Sequence, residues 1–113
     1  MTRTRIALTV VAVTRAVVIN EIHYNPAYNP VRESFIELYN DTDATVDLSQ
    51  WRVRGGVDFF FPPNTFLAPR AFAIVAEDPA TILDRFGRAA FGPWIGGLNN
   101  DGEQVTLRDA NSA

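Results

Sequence analysis

Few residues in this chain have the means to do chemistry. Glu21 and Glu37 sit in two separate apolar, β-branched runs, where strands could bring them face to face. A carboxylate pair of that kind can share acid–base work, one holding a proton while the other accepts one. It needs a cleft, and a neighbour that drives the two pKa values apart. The sequence favours a structural use instead: Asn20, Glu21, Glu37 and Asn40 satisfying loop amides and an arginine at one end of the fold, with Trp51 as a core residue. No residue is assigned to catalysis or to a bound cofactor.

Other chemistries fail on residue type. His23 is the only histidine, too few for a His-ligated catalytic zinc, and there is no cysteine for thiolate, disulfide or Cys-ligated metal chemistry. Ser34, Ser49 and Ser112 lack the glycine-flanked turn of a serine nucleophile, and the Gly55-Gly56 and Gly96-Gly97 pairs lack the spacing and lysine of a phosphate-cradling loop. Asp41, Asp43 and Asp47 suggest calcium, but counting from Asp41 puts Val46 where an EF-hand needs glycine and Arg52 where it needs a bidentate glutamate. An irregular calcium site drawing on Asp41, Asp43, Asp101 and Glu103 is the alternative; otherwise the Asp and Thr residues cap turns. Asn40-Asp41-Thr42 is formally a glycosylation sequon.

These residues must be positioned by strands. Residues 16–24 and 33–40 read as two strands, with a proline-bearing loop at 25–30 between them. Short strands follow at 45–48, 50–54 and 57–61, the last stopped by Pro62-Pro63. Residues 64–67 and 71–77 read as the arms of a hairpin, and the almost continuously apolar second arm predicts a central strand covered on both faces. Asp78 fits an N-cap and Pro79 a first helical position, with Ile82, Leu83 and Phe86 forming a stripe that Gly87 stops. A loop at 89–97, a turn at 99–102 and an alternating closing strand at 103–108, with Val105 and Leu107 inward, complete the chain. Of three successive phenylalanines, 59–61, one must point outward, and the 89–97 loop is the expected cover. Many short strands, regular turns and one helix give an all-β class, a β-sandwich with one short helix.

At 113 residues, 47% apolar, this is one folded domain. All ten basic residues are arginine, a feature of coding composition more than of recognition. Arg3, Arg5 and Arg15 stand apart in the first sixteen residues; beyond them seven arginines face thirteen acids, with no arginine cluster along the sequence. Such a body disfavours nucleic acid. Residues 1–15 fit either a secretory signal remnant or an extra strand, and no run is long enough to span a membrane.

Three runs carry a resemblance: Val17-Val18-Ile19-Asn20-Glu21-Ile22, Phe35-Ile36-Glu37-Leu38-Tyr39-Asn40 and Val46-Asp47-Leu48-Ser49-Gln50-Trp51. It continues through Phe61-Pro62-Pro63-Asn64-Thr65, residues 71–77 and residues 100–109. Together they resemble the lamin tail domain, particularly its bacterial branch, over residues 16–109, with 110–113 as a tail. The resemblance implies an immunoglobulin-like β-sandwich without catalytic residues, an accessory or interaction module of a larger secreted or cell-surface protein, with a protein or cell-surface glycan as partner. A calcium-dependent adhesion or carbohydrate-binding sandwich is the alternative. In nuclear lamins the same fold binds proteins and, in some cases, DNA; the acidic body here argues against the latter. Gln50, Asn64 and Arg70 stand where this family commonly has turn glycines, so those turns are expected to be strained or rebuilt.

Overall fold

The computed structural model describes residues 8–12, 17–24, 32–98 and 103–111. The predicted loop at 25–30 and turn at 99–102 lie outside them. Ten strands and one helix follow in the order β1 (Leu8–Ala12), β2 (Val17–His23), β3 (Phe35–Asn40), β4 (Val46–Asp47), β5 (Arg52–Arg54), β6 (Val57–Phe60), β7 (Phe66–Leu67), β8 (Phe72–Ala76), α1 (Pro79–Phe86), β9 (Ile95–Gly96) and β10 (Glu103–Arg108). A five-stranded sheet, β1-β10-β5-β6-β9, faces a three-stranded sheet, β2-β3-β8, and β4-β7 forms a short third ladder. Every pairing between these strands is antiparallel except β1 on β10.

Alternation along each strand builds the core. Val17, Ile36, Leu38, Ala73 and Val75 of the smaller sheet meet Val53, Val57, Val105 and Leu107 of the larger, with Leu48, Trp51, Phe61 and Trp94 closing the gaps. The opposite face of β3 and β8 is also covered. There Phe35, Ile74 and Ala76 receive Ile82 from α1. Pro79 occupies the first turn of α1 and Gly87 ends it at φ 66°. Asp78 precedes the helix as expected, but its carboxylate accepts the Thr81 hydroxyl, at 3.0 Å, and no backbone amide.

Two expectations about the 64–77 region are corrected. The two arms do not form a hairpin: β7 pairs with β4, while β8 pairs with β3. The corner at Ala68-Pro69-Arg70 therefore carries the chain between sheets, and the Asn40 side chain fixes it there by donating to the Leu67 and Ala68 carbonyls at 3.1 and 3.0 Å. Nor is β8 central. It is the last strand of its sheet, and its outer edge is satisfied by the 91–94 segment: Phe91 N–H donates to Ile74 O, Ala76 N–H to Phe91 O and Trp94 N–H to Ala76 O. Coverage on both faces explains its apolar run; an interior place in the ladder does not.

The three turn positions singled out above are, among the described residues, the three non-glycine residues with left-handed backbone: Gln50 (φ 64°), Asn64 (φ 61°) and Arg70 (φ 57°). Each is the third residue of a tight turn, the place where a type II turn takes glycine. Trp51 N–H closes the first on Leu48 O, at 2.9 Å, and Ala71 N–H closes the third on Ala68 O, at 3.1 Å.

Candidate functional site

Glu21 and Glu37 do face each other: a β-bulge at Asn20 brings them into register across β2 and β3. Glu37 is nevertheless engaged at both oxygens. Asn20 Nδ2 donates to Oε1 and Arg88 Nη1 to Oε2, each at 2.8 Å, and the residue is 8% exposed. The extra residue of the bulge lets Asn20 reach across, and Gly87 turns the chain so that Arg88 closes over the sheet. An acid–base carboxylate must present a free oxygen to substrate; Glu37 presents a filled network instead.

Asn40 belongs to a different network, so the residues expected to act together at one end of the fold are divided between two places. It is fully buried: Nδ2 lies against the carbonyls of Ala44, Leu67 and Ala68, while Oδ1 accepts from the N–H and hydroxyl of Thr42.

 That burial corrects the sequon reading: the amide is committed to backbone and closed to solvent. Trp51 is buried in the core as expected. It binds the 48–51 turn to the end of β6, because Phe61 N–H donates to Trp51 O at 2.9 Å.

Of the calcium candidates, Asp41 and Asp43 sit together on the exposed corner beside Asn40. Arg70 lies on both, at 3.0 Å from Asp41 Oδ1 and 3.1 Å from Asp43 Oδ1. A cation bound there would have to displace a guanidinium. Asp101 lies outside the described residues, and Glu103 opens β10. Among the described residues no group of three or more His, Cys, Asp or Glu side chains converges as metal ligands would.

His23 is buried beneath α1. Its ring stacks on Phe35, centroids 5.1 Å apart, and meets the edge of Phe86. Burial holds its pKa below 6.5, and the opposing pull of Glu33, 3.8 Å from Nε2, does not overcome it. Glu33 is also bound by Arg85 at 2.8 Å, so the histidine is a packed, neutral ring under a salt bridge.

One surface was not legible in the sequence. On the outer face of the larger sheet, Arg52 lies in register with Arg108 on one side and Phe60 on the other, and Arg54 follows two residues along. These three arginines are separated in the chain and become neighbours only when β10 pairs with β5. With Gln50, Phe61 and Asp109 they line a concavity of about 440 Å³. Arg52 is held by a two-pronged pair to Asp58, at 2.8 and 2.6 Å, and its guanidinium carbon lies 4.3 Å above the Phe60 ring. Hence the outward phenylalanine is Phe60, 57% exposed, and its partner is Arg52. Phe91 of the 89–97 loop packs instead on the inward pair, Phe59 and Phe61.

Two packed, mostly antiparallel sheets with carboxylates tied into structural networks define an immunoglobulin-like β-sandwich. A family model described as Lamin Tail Domain matches residues 11–113, somewhat wider at both ends than the stretch read from the sequence, and the chain belongs to that family. The family comprises non-enzymatic, immunoglobulin-like interaction domains. Neither the comparison with curated proteins nor that with solved structures returned a match.

Proposed function

We propose that this lamin tail domain is a non-enzymatic accessory module that makes protein contacts for a larger secreted or cell-surface protein. Membership of an interaction-domain family carries the reading. The surface supports it: Phe60, Phe66, Phe72, Leu83 and Ile95 are all open to solvent, and aromatic residues are favoured where proteins meet. The carboxylate best placed for acid–base work, Glu37, is bound at both oxygens. A cell-surface glycan could use the same aromatic side chains, and the assay below separates the two partners.

The test is retention by the immobilised chain of proteins or glycans from the secreted and surface fractions of its host, checked by cross-linking in place. Saturable retention of a protein is expected. Retention of glycan alone would change the partner class. Binding of neither, or turnover of ester, glycoside or phosphate substrates that is lost in Glu37→Gln, would overturn the proposal.

A further inference from the structure

We infer that the outer face of β6, β5 and β10 is the contact surface and that its occupant is a short acidic segment of a partner protein, an assignment that rests on the interaction reading above. Arg52 and Arg108 are directly opposite each other across β5 and β10. Side chains so placed have Cβ atoms about 5 Å apart, and like charges there repel. Arg54 lies on the same face, about 7 Å along the strand. The fold thus gathers three guanidinium groups on one face of a chain whose formal net charge is −3.

Two acids adjoin this set of three arginines, Asp58 and Asp109, so the face keeps a surplus of positive charge without being free of carboxylates. Asp58 is committed to Arg52 by two hydrogen bonds, and Asp109 stands beside Arg108 at the rim. Arg32, Arg70, Arg85 and Arg88 each pair with a carboxylate elsewhere. Arg54 is exposed and makes no ion pair among the described residues, although it adds weakly to the pull of Arg52 on the Asp58 carboxylate. Its planar group can take a carboxylate through two parallel N–H donors. Phe60, 57% exposed, and Ile95, 76% exposed on the adjoining β9, add apolar ground beside the charges.

Charge and size select the ligand. A concavity of about 440 Å³ admits a few side chains. Arg54, beside the paired Arg52 and Arg108, suits one carboxylate with an apolar neighbour, whereas a long polyanion needs a run of cations that a chain of net charge −3 does not offer. An acidic peptide meets both limits and nucleic acid does not.

The probe is an acetylated, amidated hexapeptide of sequence Asp-Glu-Leu-Asp-Glu-Leu, titrated into the isotope-labelled 113-residue chain and followed by amide chemical shifts. Its Asn-Gln-Leu-Asn-Gln-Leu counterpart and oligothymidylate are titrated in parallel. Shifts should map to β5, β6 and β10 with the acidic peptide only. Arg54→Ala and Arg108→Ala should each weaken binding about two- to fivefold, the scale of an exposed ion pair. Arg32→Ala, which removes an equal charge elsewhere, should leave binding unchanged, and thermal melts should show each variant folded. Equal response to the neutral peptide, indifference to the Arg54 and Arg108 changes, or preference for oligothymidylate would each overturn the inference. If a protein partner is still retained by Arg54→Glu/Arg108→Glu, only this surface assignment falls; if the unaltered chain retains none, the interaction reading falls with it.

Discussion

Replacing Gln50 by glycine should make this domain more stable, although it deletes a side chain and adds none. Gln50 is exposed and has φ 64°. For an L-residue that conformation costs about 1–2 kcal/mol, because Cβ crowds the following carbonyl. Glycine relieves the crowding but gives back about 0.5–1 kcal/mol through its freer unfolded chain. The balance is a gain of about 0.5–1 kcal/mol, or a melting temperature higher by about 2–4 °C in a domain of this size. The bonds closing the turn, Trp51 N–H to Leu48 O and Gln50 N–H to Phe61 O, are made by backbone and survive the change.

Thermal and urea unfolding of Gln50→Gly, Gln50→Ala and Asn64→Gly would measure this. Alanine keeps the crowded Cβ, so Gln50→Ala should show no gain. Asparagine tolerates left-handed backbone, so Asn64→Gly should change little. The Arg70→Gly case is instructive because the guanidinium also lies on Asp41 and Asp43, both exposed. Backbone relief and ion-pair loss should nearly cancel at low ionic strength, and relief should win as salt screens the pairs. A Gln50→Gly protein no more stable than Gln50→Ala would refute the strain argument.

Asn40→Ala should cost about 3 kcal/mol in urea unfolding, because buried carbonyls of the β7–β8 corner lose their donor. Asn40→Asp should be worse at pH 7, since a carboxylate would face those same carbonyls, and should approach Asn40→Ala as acidification supplies a proton. Phe61→Ala, removing a buried ring packed edge-on against Phe59 and Phe91, should cost about 3–5 kcal/mol and lower the denaturation midpoint accordingly. For His23 the folded pKa lies below 6.5, so its contribution is complete above that pH and is lost as pH falls through the window beneath it. Stability should therefore decline as pH falls below 6.5, by at most about 1.4 kcal/mol per unit, and a folded His23→Gln protein should lose this slope. Millimolar calcium should leave the melting temperature where chelator leaves it; a rise of several degrees would put a metal site among the acidic loops.

Local pattern identified the strands because alternation is a property of successive residues, and it identified α1 because Pro79 and Gly87 mark its ends. It could not choose partners for β7 and β8. A tight turn between two apolar runs looks like a hairpin from within, but the corner at residues 68–70 is held by Asn40, 28 residues away from Ala68. Similarly, the apolar run of β8 follows from coverage by α1 and the core, which sequence cannot distinguish from an interior place in the sheet. Glu21 and Glu37 were correctly set opposite each other, yet the bulge at Asn20 and the return of Arg88 after the helix, which decide what Glu37 does, left no local mark.

The basic face shows why charge counted along a chain is a poor guide to charge on a surface. Sequence separates Arg52 and Arg54 from Arg108, and the average over the body is acidic. Folding keeps that average and redistributes it: Arg32, Arg70, Arg85 and Arg88 are drawn into pairs with Glu77, Asp41 and Asp43, Glu33 and Glu37, while β10 delivers Arg108 beside Arg52, itself paired with Asp58. Nothing in the core requires arginine at these outward positions, since Val53, Val105 and Leu107 supply the inward contacts of β5 and β10. If the face served only solubility, Arg54→Glu and Arg108→Glu would be neutral to partner retention and would relieve repulsion by the opposed Arg52. A variant that gains stability while losing its partner would show that the repulsion is retained for binding.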